Sequence, residues 1–529
     1  MQRFANRLVP LALAALAASP LHSQARRGQA PSPAAVRRAA ESIAEASFRE
    51  RGTLIAHDSM RGRDTPSPGL DKTAEWVASE FRRIGLRPGG DQGSYIQRYQ
   101  LRRSRLDSAT ALTATAGGAS AAWRLGRDVA FLGGTRPAAA QTMPLVLLSG
   151  VPTDSARPFG DVAVRGAAVL HVAAPELIGG PALNQLIGQA IAAGVAAWIV
   201  VADVPAARWT NWLRRSLVGQ QWELVGMAGP LDGGAPQLYG VRDSSAMALL
   251  EAAGQDLAAL RASGTPTILP LAGAQLTVQP RTVTTAEPSV PNVVGVLEGS
   301  DPALRAQAVA FVAHMDHVGV TADGRCAAMG ADSICNGAND NAAGTVGVVE
   351  LAEAYASLRP RPRRSTVFVA VSGEELGIFG SGYYTSRPAV PMDQTVAVIG
   401  MDEIARNTPD SMIVVGKRYS SMGEIADRIA AGHPELGLLA VDDLWPELNY
   451  FQRSDHYPFA LRGVPALVLY GGPSAEVHRP NDAAETTSWE KAARVVRFAF
   501  YVGLDVANAD GRPEWDPQAR ARTVRGAAN

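Results

Sequence analysis

The chain has 529 residues and sets 50 basic side chains against 50 acidic ones, so its formal net charge is zero. A chain with no global field of either sign is not built to attract nucleic acid or an anionic membrane surface. Its length exceeds one ordinary core, and two domains are the expectation.

In chain order, residues 1–25 read as an export signal. Arg3 and Arg7 precede the apolar run LVPLALAALAA, and a short polar stretch ends in Ser23, Gln24 and Ala25. The apolar run is too short to span a bilayer. Cleavage after Ala25 would release an exported protein, periplasmic or extracellular, with no membrane span; an uncleaved anchor is the alternative. Residues 35–140 and 270–508 are assigned to one discontinuous domain. The residues between them outnumber what a connection needs, so they must form a folded unit. That unit, 145–263, reads as strands in PLVLLSG and GAAVLHVA, a helix in LNQLIGQAIAAG and a strand in AAWIVVADV. An irregular region bearing Trp209, Trp212 and Trp222 follows. The stretch Thr282–Ser289, between Pro280 and Pro291, reads as the return linker.

The runs Ala308–Ala313, Ser365–Val371, Thr395–Gly400 and Ala466–Tyr470 are short, apolar and rich in valine. Such runs suit strands covered on both faces, and apolar positions at a 3.6 spacing predict a helix over Ala342–Leu358. The fold class expected is therefore α/β, with a mixed, mostly parallel central sheet flanked by helices and a smaller inserted domain. Residues 509–529 turn polar and rich in arginine, the composition of a surface-hugging or disordered tail.

Five segments beside these elements carry imidazoles and carboxylates. They are His314 and Asp316 in AHMDHVG, Asp340 in NGANDNAAG, Glu374 and Glu375 in VSGEELG, Asp402 in GMDEIARN, and His478 in AEVHRPND. A lone histidine after a strand is usually a structural hydrogen-bonder, and adjacent glutamates are usually a solvated pair. The joint pattern is what carries weight. Open α/β sheets bind ligands at the carboxyl ends of their strands, so these segments can converge on one crevice. Imidazole and carboxylate are also the donors zinc takes when it keeps a position open for water. Of eight histidines, four (His314, His317, His456 and His478) fall in two regions beside predicted strands. The only two cysteines, Cys326 and Cys335, lie between His314 and Asp340. In an oxidising compartment they read as a disulfide, with metal ligation as the alternative.

These segments resemble the co-catalytic two-zinc exopeptidases that include bacterial leucyl aminopeptidases and aminopeptidase Y. Residues 62–97 and the stretch PNVVGVLEGSDP are similar to that family as well, and AIAAGVAAWIVV resembles the protease-associated domain often inserted in it. The resemblance implies two zinc ions bridged by Asp340, with His314 and Asp402 completing one site and Glu375 and His478 the other. It implies Glu374 as general base, Asp316 orienting His314, and peptides as substrates cleaved at their amino terminus. Asn339, Met315 and Glu403 depart from the usual family pattern. Three other readings stay open: a carboxypeptidase, for which Arg406 and Arg453 are candidate carboxylate partners, a glutaminyl cyclase-like enzyme, and a non-catalytic receptor-like ectodomain.

Overall fold

The computed structural model describes residues 30–154, 157–227, 235–263 and 265–524; the expected export signal lies outside them. Among the described residues, the larger of two sheets has eleven strands. Its nine main strands, in chain order, are β1 (Ile96–Leu106), β2 (Thr282–Ala286), β3 (Ser289–Leu297), β4 (Ala308–His314), β5 (Ser365–Val371), β6 (Thr395–Asp402), β7 (Ser411–Val415), β8 (Leu439–Val441) and β9 (Ala466–Tyr470). They lie in the order β2-β1-β3-β5-β4-β6-β9-β7-β8. Parallel pairing joins β5, β4, β6 and β9 at the centre; β3 pairs antiparallel with β5, and β7 pairs antiparallel with β9 but parallel with β8. The four central strands are the four apolar runs of the sequence. Their residues are buried on both faces, which is why they alternate so little.

One face of this sheet is covered by the helices Ala343–Ser357 and Trp489–Asn508. Phe311 and Phe368 stack at 5.6 Å between centroids, and Tyr355 packs on both and on Phe500. The fit is close at Gly52, where a Cβ would lie 2.3 Å from the Trp489 ring.

The smaller sheet has eight strands, with Gln141–Ser149, Ala168–Val172, Ala197–Val201 and Gln237–Val241 parallel at its centre. It also contains Ala111–Ala116, Ala119–Arg124, Val129–Gly133 and Thr267–Gln279. The smaller unit therefore runs from Ala111 to Gln279, wider than the 145–263 expected. The long strand Thr267–Gln279 pairs with both Gln141–Ser149 and Ala111–Ala116, tying the outer segments to it. Small side chains in ALTATA and ASAAWR gave those segments too weak a hydrophobic signal to place them.

Three further expectations are corrected. The region of Trp209 and Trp212 is a helix, Ala206–Val218, whose apolar side packs against Ala130 and Leu132. Trp222 lies on the short strand Gln221–Leu224, which pairs with β1 of the larger sheet. The supposed linker forms the edge strand β2. At the other end of the chain, Trp515 donates its indole N–H to Gly463 O, and a helix capped by Asp516 spans Pro517–Thr523. Among the described residues no helix is long and apolar enough to cross a membrane.

Arg63 joins the N-terminal segment to the loops that follow β4. Its side chain is fully buried, and its guanidinium donates to the carbonyls of Ile55, Met315, Asn336 and Gly337 at 2.7–2.8 Å. Removing it would orphan four buried acceptors, each costing about 1–3 kcal/mol. Arg63→Ala is expected to lower unfolding stability by about 3 kcal/mol or more, read from denaturant midpoints. A loss below about 1 kcal/mol would show that water replaces the clamp.

Candidate metal centre

The ends of the central strands bring the predicted side chains together. His314 is the last residue of β4 and Asp402 the last of β6. Glu374 and Glu375 follow β5, Asp340 lies in the turn before the helix Ala343–Ser357, and His478 is on the loop after β9. They line a cleft of about 500 Å³, walled by Ile378, Tyr450, Tyr470, Pro473 and Val477.

The donor atoms fall into two groups that share Asp340. In the first, His314 Nε2 lies 3.5 Å from Asp340 Oδ1 and 3.2 Å from Asp402 Oδ1. In the second, His478 Nε2 lies 3.4 Å from Asp340 Oδ2 and 3.0 Å from Glu375 Oε2. Asp340 thus turns one oxygen to each group. The second group has a further member absent from the predicted ligand set: His317 Nδ1 is 3.5 Å from Asp340 Oδ2 and 3.0 Å from Glu375 Oε1. Donors at 2.0–2.2 Å from one tetrahedral ion stand about 3.3–3.6 Å apart. The histidine-to-carboxylate separations, 3.0–3.5 Å, match that spacing to within a few tenths of an ångström, and all donors of each group lie within 4.8 Å of one another, so the residues present fit zinc.

The charges point the same way. Hydrogen bonds to Asp340 and Glu375 push His478 up to about 11. Burial opposes a charge on His317, but Asp340 and Glu375 outweigh it and hold the ring at about 9. Burial also opposes ionisation of Asp340, which His317, His478 and His314 nevertheless hold well below the usual carboxylate range. Burial, reinforced by neighbouring carboxylates, pushes Glu374 and Glu403 well above it. The cluster is thus a negative site in which protonated imidazoles stand where cations fit.

Surrounding groups fix the donors. The expectation that the Asp316 carboxylate holds His314 is corrected: His314 Nδ1 donates to the Asp316 carbonyl at 3.0 Å, and the nearest carboxylate oxygen is 3.8 Å away. The carboxylate instead accepts from the Thr65 hydroxyl at 2.8 Å and the Glu374 N–H at 3.4 Å. Asp482 accepts the N–H groups of Asn339 and Asp340 and is itself held by Arg406. Ser454 donates to Asp402 Oδ2 at 2.8 Å. Cys326 and Cys335 are joined by a disulfide. Arg325, immediately before the bridge, bonds the carbonyls of Glu375 and His317 and pairs with Asp64. His456 is elsewhere, buried against Phe451, where desolvation pushes it down to about 3.

Fold and donor set define a metallopeptidase-type α/β domain. Residues 292–503 match Peptidase family M28, and the chain carries a domain of that family. A probable zinc metalloprotease of Pyricularia oryzae is 25% identical over 230 residues, which cover 36% of this chain and 44% of that protein. Leupeptin-inactivating enzyme 1 of Streptomyces exfoliatus is 29% identical over 144 residues, 27% of this chain and 31% of that one. The matched stretch spans less than half the length of these relatives. Among solved structures, the aminopeptidase from Aneurinibacillus sp. strain AM-1 aligns over 91% of this chain and 98% of its own, with 16% identity and a TM-score of 0.48.

Because the cleft carboxylates push His314, His317 and His478 all above the ordinary imidazole range in the metal-free protein, divalent ions must displace a proton from each ring. Adding zinc to metal-free protein in weak buffer at pH 7.5 is therefore expected to release about three protons, one from each ring, and zinc affinity should fall as pH falls. Uptake without proton release would show that these rings are already neutral.

Proposed function

We propose that the chain is an exported zinc aminopeptidase that removes the first residue of peptides, using two zinc ions shared through Asp340. The observation that carries this reading is the placement of the Asp340 oxygens, one toward His314 and Asp402 and the other toward His317, Glu375 and His478. Zinc held by such donors lowers the pKa of water and polarises a carbonyl.

The protein's own groups supply the rest. Glu374 lines the cleft beside the donors, and its raised proton affinity suits a base that takes a proton from water and returns it to the leaving amine. Asp316 is a positioning residue: its carboxylate receives the Glu374 N–H and its carbonyl sets the His314 ring. The carboxylates of the cleft favour a substrate amino terminus, which would confine attack to the end of a chain. The inserted unit, protease-associated in our reading, approaches the loop that carries the base. Its Leu224 and Trp222 pack with Phe379 and Leu376, so it serves as a side wall.

One observation favours a second reading. Arg453 lines the cleft with its guanidinium over the Tyr450 ring, where it could meet a substrate carboxylate, as a carboxypeptidase requires. Arg406 is committed to Asp482 and Thr486. One peptide offered free, N-acetylated and C-amidated separates the two, with products read by mass. The aminopeptidase reading expects cleavage to survive amidation and fail on acetylation; the reverse pattern would establish a carboxypeptidase.

Two substitutions test the roles. Glu374→Gln is expected to lower turnover on the order of 100-fold to 10,000-fold while the zinc content stays near that of the unaltered protein. Activity above about a tenth would remove Glu374 as the base. Asp340→Ala is expected to lose both ions together, measured by metal analysis after dialysis. An active variant holding one zinc would point to a mononuclear enzyme.

A further inference from the structure

A narrow cavity of about 70 Å³ opens beside the cleft, lined by Asp402, Glu403, Val415, Tyr450, Ser454 and Tyr470, with Val468 and Arg453 completing it. Glu403 borders both the cavity and the cleft. Its Oε2 is buried and has no hydrogen-bond partner, and its backbone holds a left-handed φ of 48°. A glutamate in that conformation is uncommon. Its carbonyl is fixed by the Gly471 N–H, so the strained turn is tied to the end of β9. The other carboxylate of the cavity, Asp402, is engaged by His314 and Ser454. An uncompensated carboxyl oxygen in a pocket is costly unless a ligand satisfies it.

Apart from Ser454 and Arg453, the remaining walls are apolar or aromatic: Val415 from β7, Val468 and Tyr470 from β9, and the Tyr450 ring, which packs 5.0 Å from that of Tyr470. A narrow slot with apolar sides and one free carboxyl fits a slender aliphatic chain that ends in a cation. Arg453, the one basic residue of the lining, is exposed, with its guanidinium over Tyr450 at 5.2 Å and no ion pair to Glu403 within 4 Å. Building on the aminopeptidase reading, we propose that this cavity receives the side chain of the substrate's first residue and that Glu403 selects a cationic one, lysine or arginine. The cation would hydrogen-bond to the unpartnered Glu403 Oε2, with no covalent bond made or broken. An aromatic first residue would not fit the slot.

The test compares L-lysinamide with L-norleucinamide, which share an unbranched chain and differ at the cation. Binding to the zinc-loaded Glu374→Gln protein is measured by calorimetry, so the result does not depend on turnover. Lysinamide is expected to bind at least about 10-fold more tightly, and adding Glu403→Gln should bring the two to within about twofold. Equal affinities for the single variant would overturn the proposal. So would a Glu403→Gln change that weakens both ligands alike, because Glu403 would then hold the α-amine common to both. The unaltered protein is assayed in parallel with lysyl and norleucyl anilides. Absence of turnover on both would refute the aminopeptidase reading, while the calorimetric ratio would still decide the role of Glu403.

Discussion

Five carboxyl groups, Asp340, Glu374, Glu375, Asp402 and Glu403, meet at one cleft over the ends of buried strands. Two like charges about 4 Å apart repel by about 4 kcal/mol at an effective dielectric of 20, so such a cluster does not persist without positive charge among its members. In the protein itself that charge is carried by protonated imidazole: His478 and His317 are driven upward by Asp340 and Glu375, and His314 by Asp402. Each ring nitrogen that bears this charge points at the same carboxylates a divalent cation would meet. The proposed two-ion centre would resolve the repulsion and leave the rings as neutral donors.

The scaffold is arranged to hold these groups against one another. Parallel pairing of β4, β5, β6 and β9 sends their carboxyl ends to one edge, so His314 and Asp402 arrive as terminal strand residues. The irregular loops are then tied by buried polar contacts rather than by packing alone. Arg63 takes four carbonyls from three segments, Asp482 grips the backbone at Asn339 and Asp340, and Arg325 holds the carbonyls of His317 and Glu375. Positive φ at Ile378, Glu403 and His478, all of them lining the cleft, marks where the chain is bent to aim its groups inward.

The central sheet was legible in the sequence because strands buried on both faces are unbroken apolar runs, and their shortness and valine content set them apart from buried helix. The ligands adjoining those runs were legible for the same reason: a strand end fixes their position. His317 was not. It lies three residues beyond His314 in an extended loop with no periodicity, and its direction follows from the Arg63 and Arg325 contacts to the surrounding backbone. Its presence in a chain of only eight histidines was the available signal. Asp316 was read by proximity as a carboxylate partner of His314, but the backbone turn offers the nearer carbonyl and leaves the carboxylate for Thr65. The bounds of the smaller unit were hidden by alternating alanine and threonine, whose burial becomes visible only when Thr267–Gln279 pairs across them.

The most direct test is anomalous diffraction at the zinc edge from crystals of the zinc-loaded protein. Two peaks are predicted on either side of Asp340, one bound by His314 and Asp402 and the other by Glu375, His478 and His317. A single peak, or a second ion from which His317 is turned away, would contradict a shared two-ion centre with this donor set.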